Sequence, residues 1–171
     1  MRSITINYLF IGLLFITGCS TKDKSSSKES KVLNVKEIKL KPGDYNAIEG
    51  SSEVLWECEW LGGARHDGSV QLVSGSIDIS EASDVNGRFI VDLNSMKCFD
   101  LTNEGTNKKL IEHLKSDDFF DVANYPEAVL DLISGKNISG NNFEFSGNLT
   151  IKGRTHPIIF TGTVIENNLS Y

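Results

Sequence analysis

Hydrophobic and polar residues alternate with a period of two through most of the chain from residue 53 onward. Such alternation is typical of a β-strand that buries one face and exposes the other to water. In the segment 53–60 the two faces separate completely, with Val54, Trp56, Cys58 and Trp60 on one and Glu53, Leu55, Glu57 and Glu59 on the other. The pattern predicts a strand whose aromatic side chains point inward and whose carboxylates point to solvent.

Other segments repeat this pattern and are predicted as further strands. They are 70–79, 87–93, 128–132, 143–152 and 156–164. Gly75 predicts a bend within its strand, because a glycine in a strand interior often marks one. Gly153 and Arg154 predict a tight turn, after which the last strand returns antiparallel to the strand before it.

One segment departs from the alternation. Residues 106–115 space Leu110, Ile111 and Leu114 as a helix does, and Ser116 ends the pattern. The apolar pair Phe119 and Phe120 follows as a hydrophobic plug, and Tyr125–Pro126 marks a turn. About seven short strands with one helix predict an all-β barrel or sandwich, and an antiparallel barrel of about eight strands has room for one small ligand.

The N-terminus has a different pattern. Arg2 precedes an apolar run over 8–16 that is long enough for a signal peptide but too short to span a bilayer. An aliphatic residue, two small residues and Cys19 follow, and this order resembles a bacterial lipobox. We therefore predict that residues 1–18 are a removable signal and that Cys19 carries lipid. The alternatives are an ordinary secretory signal with an incidental cysteine, or a short buried helix.

Residues 20–31 contain no apolar side chain and predict a flexible tether with a span of roughly 20 Å. With the lipidated Cys19 they form the segment 19–31, and residues 32–171 form the folded domain. Two or three acyl chains would hold the protein permanently at a membrane. We expect the protein in the cell envelope of a Gram-negative bacterium, anchored in the outer membrane on its periplasmic side or at the surface.

Composition narrows the classes of partner. The net charge is -6 and becomes -7 once Arg2 leaves with the signal, and the domain has no long basic stretch. This argues against nucleic acid as a partner, because neutralising phosphates requires clustered Lys and Arg. Cys58 and Cys98 either form a disulfide, which export permits, or remain two small buried hydrophobic residues. Neither the cysteines nor the three histidines have metal-ligand spacing.

Several sequence pieces, taken in order, resemble the YceI-like family of exported lipid-binding proteins, over roughly residues 44–165. They are Val54–Trp56, His66–Gly68, Gly87–Ser95, His113–Val122, Tyr125–Ala128, Gly147–Gly153 and the strand of Pro157. The resemblance implies a lipocalin-like antiparallel barrel around a long apolar pocket that binds a polyisoprenoid or another long-chain amphiphile. It also implies no catalytic activity, and no cofactor other than a bound isoprenoid or fatty-acyl ligand.

Domains of this family usually continue past the Pro157 strand with a further strand, a glycine-rich loop and a final strand. This chain stops at Tyr171. We therefore expect a shortened and incomplete barrel, whose open edge invites pairing with a second copy of the chain. The alternative to a lipid-binding protein is a structural or interaction lipoprotein with a filled or incomplete barrel.

The inward-facing side chains either line a ligand pocket or fill a solid core. Alternation alone does not separate these two cases, and the resemblance favours the pocket. The predicted lining residues are Trp56, Trp60, Phe89, Val91, Phe119, Phe143, Phe145, Leu149, Ile151 and Phe160.

Polar groups are predicted mainly at the pocket mouth and the surface. His66 and His113 are expected at the mouth, where a structural hydrogen bond is the alternative role for His66. The pyrophosphate head of a ligand could bind Arg65, Lys115 or Arg154. The alternative interpretation of each is a solvated surface charge. The acidic residues at 117, 118 and 121 are expected to terminate the helix at the surface. The chain shows no grouped nucleophile and base and no phosphate-binding glycine loop.

Overall fold

The structure is a computed structural model that describes residues 40–48, 50–59, 63 and 65–164. The predicted signal, Cys19, the tether and Trp60 lie outside these residues. The elements in chain order are β1 (Gly43–Asn46), β2 (Glu53–Glu59), β3 (Arg65–Ile79), β4 (Val85–Cys98), α1 (Glu104–Lys115), β5 (Glu127–Ser139), β6 (Asn142–Ile151) and β7 (Arg154–Thr163).

All strands belong to one antiparallel sheet in the order β1-β3-β4-β5-β6-β7, and β2 pairs with the first half of β3. Within the described residues β7 pairs with neither β1 nor β2, so the sheet is not closed. The predicted fold class is confirmed: the architecture is that of a lipocalin-like barrel with one short helix. The helix is not long and apolar enough to cross a membrane, a finding that concerns the described part of the chain.

The strand β3 connects the two halves of the sheet, because it pairs with β1 and β2 on one side and with β4 on the other. It begins at Arg65, earlier than the alternation from residue 70 predicts. Its register against β4 shifts between Ser69 and Gln71 and between Leu72 and Ser74, so its irregularities precede Gly75. At the first shift the Gln71 amide donates to the Ser95 hydroxyl at 2.7 Å, which gives a displaced backbone donor a partner.

The helix α1 begins two residues before the predicted start at residue 106. The Asn103 side chain caps it by accepting from the Thr106 amide at 3.0 Å, and this cap lies ahead of the first apolar position. The Ser116 hydroxyl donates to the His113 carbonyl at the other end. Leu114 is the buried residue of this helix and fixes it against the sheet.

Buried side chains form two separate cores, which lie towards opposite ends of the long strands β3, β4 and β5. The core beneath the helix, called here the helix-side core, comprises Val70, Leu93, Met96, Leu114, Val122 and Ala128. The core beside the first strand, called here the β1-side core, comprises Tyr45, Ile79, Val85 and Leu132. Burial of apolar surface in these two cores stabilises the fold, and the middle of the inner face lies between them.

Candidate functional site

Glycines lie opposite aromatic rings on the inner face of the sheet. Gly75 pairs with Phe89 across β3 and β4, and Gly135 pairs with Phe145 across β5 and β6. A Cβ atom at Gly75 would lie 2.7 Å from the Phe89 ring, and one at Gly135 would lie 2.8 Å from the Phe145 ring. Because these glycines have no side chain, the rings lie against the neighbouring strand and form a wall instead of filling the interior.

Trp56 follows the same rule at the helix side of the molecule. It pairs with Gly68, and a Cβ atom there would lie 2.5 Å from the indole ring. Its Nε1 atom is buried and has no hydrogen-bond partner among the described residues. An unmet donor of this kind costs about 1–3 kcal/mol. Packing against Gly68 therefore holds the indole ring where its Nε1 atom has no hydrogen-bond partner among the described residues.

The rings and the two cores surround an apolar cavity of about 310 Å³. Its wall includes residues from all seven strands, from α1 and from the Phe119–Phe120 pair, and it touches both cores. The volume is at the lower end of the range for small-molecule sites. Apolar walls of this kind bind ligands by removing hydrocarbon surface from water.

The cavity wall contains most of the side chains predicted to line a pocket. They are Trp56, Phe89, Val91, Phe119, Phe145, Leu149, Ile151 and Phe160. Phe143 is an exception, because it is only 3% exposed and lies outside the wall. It stacks on Phe145 with ring centroids 6.0 Å apart, near the end of its strand, and so packs behind the wall. The role of the predicted lining residues in ligand binding stays a prediction.

The sequence pattern missed one part of the wall, on β2. Every residue from 52 to 58 lines the cavity, including Glu53, Leu55 and Glu57, which alternation assigned to the solvent face. Successive side chains of a strand point to opposite faces. The cavity therefore reaches the edge of β2 that pairs with no other strand among the described residues. Only strand order, which alternation does not encode, could have revealed this mouth.

Neither predicted mouth histidine lines the cavity. His66 bonds through Nδ1 to an Asp100 carboxylate oxygen at 2.8 Å, which is the structural hydrogen bond weighed as its alternative role. His113 lies on the outer side of α1, where its ring meets Phe119 edge-on at 5.9 Å. Each histidine thus contacts another partner outside the cavity wall, and a role for either at the mouth stays a prediction.

Asp100 is the centre of a polar cluster at the end of β3 and β4. Besides His66, its carboxylate accepts from the Asp67 amide and the Cys98 thiol, each at 3.1 Å. These hydrogen bonds favour the charged carboxylate, and the bond from His66, the largest influence, helps to lower the pKa of Asp100 to about 2. The cluster fastens the turn after β4 to the first residues of β3.

Both described cysteines are free thiols, so of the two alternatives the disulfide is wrong. Cys58 lines the cavity and faces His66 across β2 and β3. Burial raises the pKa of the Cys58 and Cys98 thiols, which keeps them in the uncharged form. Within the described ranges, no group of three or more His, Cys, Asp or Glu residues is arranged to hold a metal ion.

The three cations considered for a pyrophosphate head do not reach the cavity wall. Arg65 pairs with Glu57, and the Lys115 ammonium donates to the Asn94 carbonyl at 2.7 Å. Arg154 is exposed at the start of β7. The structure places each of them at the surface, which agrees with their alternative interpretation as solvated charges.

Comparison with known sequences identifies the family. The model of the YceI-like domain matches residues 45–170, which is well over half of the chain. The chain belongs to the YceI-like domain family. The family is known for binding proteins, and the resemblance inferred from the sequence is confirmed.

Relatives in this family include UPF0312 proteins from Pseudomonas. The one from Pseudomonas syringae pv. syringae is 36% identical over 83 residues, which cover 48% of this chain and 38% of that protein. One from Pseudomonas putida strain F1 is 28% identical over 110 residues, covering 64% of this chain and 55% of the relative. The matched part thus spans between about two fifths and just over half of the relatives' length.

Solved structures of similar fold include BcnA of Burkholderia cenocepacia, at 21% identity and a TM-score of 0.48 over 67% of both chains. The YceI protein of Campylobacter jejuni is 19% identical with a TM-score of 0.41, over 81% of this chain and 67% of that one.

Proposed function

We propose that this YceI-like chain is a membrane-tethered, non-catalytic binding protein that sequesters or transports a polyisoprenoid or another long-chain amphiphile. The observation that carries the proposal is the apolar cavity between the two cores, kept open by glycines opposite aromatic rings. An apolar chain in this space would gain about 25 cal/mol for each Å² it removes from water, before entropic costs.

The cavity encloses only part of a long chain, because its volume is at the small end for ligand sites. The edge of β2 that pairs with no strand in the described part of the chain would give the remaining part of the ligand a way out of the barrel. The tether would start at a lipidated Cys19, so that the mouth stays near the membrane from which such a ligand comes. The anchor and its location are part of the proposal.

Lipid extraction tests the binding function. The mature chain, residues 19–171 with Cys19→Ser, retains every described residue and is purified without detergent, extracted and analysed by mass spectrometry. We expect an amphiphile in about equal amount to the protein, or uptake of an added polyprenol. Absence of both would exclude the proposal.

A blocking variant sharpens this test. Leu149 is half-buried in the cavity wall, so Leu149→Trp should place a larger side chain in the interior and reduce polyprenol uptake. Ile159 lies on the outer face of β7 and is 72% exposed, which makes Ile159→Trp the matched control. If both variants, checked for folding by circular dichroism, bind like the parent, the cavity is not the site.

The edges of β2 and β7 that have no partner strand within residues 40–164 as described favour a second candidate, a structural lipoprotein that pairs with another copy of itself. Unpaired strand edges offer free backbone donors and acceptors to another chain. Sedimentation of the mature chain across a range of concentrations distinguishes the two. A concentration-dependent dimer without bound lipid supports pairing, whereas a monomer that carries lipid contradicts it.

A further inference from the structure

The β1-side core closes one end of the cavity. Tyr45 and Leu132 belong to this core and also line the cavity wall. Ile79 and Val85, the other two buried residues of the core, are 3% and 1% exposed and lie outside the wall. The cavity therefore stops at the layer of Tyr45, and a packed layer of the same core lies behind it.

Tyr45 is fixed at both ends of its side chain. Its backbone is part of β1 and pairs with Ile77 of β3, which also lines the cavity. Its hydroxyl donates to the Lys41 carbonyl at 2.8 Å, so its polar atom has a partner although the residue is buried. Because the layer behind it is close-packed, the ring cannot retreat to admit a longer chain.

The opening beside β2 lies towards the other end of the cavity. The strand β2 pairs with Arg65–Gln71 in the first half of β3, whereas β1 pairs with Ser76–Ile79 at its end. Val54 and Trp56 of β2 pack against the helix-side core. An amphiphile that keeps its polar head in water beside β2 would therefore direct the end of its apolar chain towards Tyr45.

We propose that Tyr45 is a specificity-determining residue that sets how much of an apolar chain the cavity encloses. A cavity of about 150 Å³ can enclose benzene, so the cavity of about 310 Å³ has room for roughly twelve carbons. The end of the chain would lie against the Tyr45 ring, and further carbons would stay outside beside β2. The inference rests on the proposed binding function and adds the length of the enclosed chain to it.

A series of saturated 1-alkanols from octanol to octadecanol tests this limit. Each alkanol competes with a fluorescent apolar probe bound to the mature chain. Each enclosed methylene should strengthen binding about fourfold, and the gain should stop near dodecanol. Every variant is compared with the parent in the same alkanol solution, so differences in solubility between the alkanols cancel.

Variants at the closed end should move the limit in opposite directions. Tyr45→Leu removes the ring, so the gain of about fourfold per carbon should continue for about four more carbons. Ile77→Phe adds bulk at the same level and should lower the limit by about three carbons. Tyr45→Phe keeps the ring and should leave the limit unchanged, although it loses the hydrogen bond to Lys41.

Val85→Ala is the matched control for loss of packing. It removes buried atoms from the same core but from outside the cavity wall. It should lower the midpoint of urea denaturation and leave the limit of chain length unchanged. A limit that moves as far in Val85→Ala as in Tyr45→Leu would show that general loosening of the core, and not the ring, sets the length.

The outcomes separate this inference from the function on which it rests. If Tyr45→Leu and Ile77→Phe fold, as checked by circular dichroism, and keep the limit of the parent, Tyr45 does not set the length and the binding function stands. A gain that continues to octadecanol in the parent also overturns the inference alone. If Tyr45→Leu does not fold, the shift in Ile77→Phe decides. If no alkanol displaces the probe and no polyprenol is taken up, both proposals fail.

Discussion

The helix-side core and the middle of the barrel are built from similar apolar residues and both border the cavity, yet the side chains of the helix-side core are more deeply buried. In the helix-side core, Leu114 from α1 and Val122 from the following loop pack onto side chains of the sheet. In the middle, Phe89 and Phe145 lie against glycines of neighbouring strands. The difference is therefore that α1 and the loop after it add side chains to the helix-side core, whereas the rings in the middle lie against the sheet.

The largest expected effect comes from filling the space at Gly68 against which the Trp56 ring packs. In Gly68→Ala the new Cβ would overlap the Lys97 carbonyl oxygen and the indole ring, and backbone cannot move aside as a flexible side chain can. We expect a loss of more than about 3 kcal/mol in unfolding free energy, measured by urea denaturation. Gly105→Ala is the control, because it lies in the first turn of α1 with more room and should stabilise slightly. Equal stability of the two variants would contradict the steric role of Gly68.

Truncating a leucine in each region compares them directly. Leu114→Ala should cost about 3 kcal/mol, because this side chain is 4% exposed and packs into the helix-side core as well as bordering the cavity. Leu149→Ala should cost about 1 kcal/mol, since this side chain borders the same cavity and is only half-buried. Denaturation midpoints at equal slope give both values. If the Leu149 variant loses as much as the Leu114 variant, the middle of the barrel is packed and not hollow.

A smaller change shows how a glycine keeps the cavity open. In Gly135→Ala the Cβ would press on Phe145 at 2.8 Å and push the ring towards the interior. We expect a stability cost of about 1 kcal/mol and a several-fold loss of polyprenol uptake, both measured on the mature chain. Adding Phe145→Leu should restore uptake because it removes the displaced ring. Failure of the double variant to recover would show that the ring is not the cause.

The smallest effect concerns the Asp100 cluster, which fastens the turn after β4 to the first residues of β3. Its carboxyl has an ordinary pKa of 3.8 and a pKa of about 2 when folded, so the unfolded chain binds the proton more readily. The stabilisation is complete above pH 3.8 and is lost as the pH falls through about 2. Asp100→Asn should lower the Tm at neutral pH, and the gap to the parent should close across this window. A gap that persists at about pH 2 would contradict the assignment.

Much of the fold follows from alternation and helical spacing, but elements with few apolar residues do not. The strand β1 was missed because Tyr45 is its one buried residue, and the first turn of α1 depends on the Asn103 cap and not on apolar spacing. The inward face of each long strand, and with it most of the cavity wall, was predictable from period two. The opening beside β2 was not, because the position of this strand edge depends on distant pairing.

Among the described residues the strand β2 pairs with β3 alone, although it forms one side of the mouth. A strand with a single neighbour opens at a lower free energy than strands held on both sides. Ligand exchange would then be timed by transient detachment of β2 and not by the depth of the cavity. Amide hydrogens along Glu53–Glu59 should exchange with solvent sooner than those of β4, and a bound chain should slow them most.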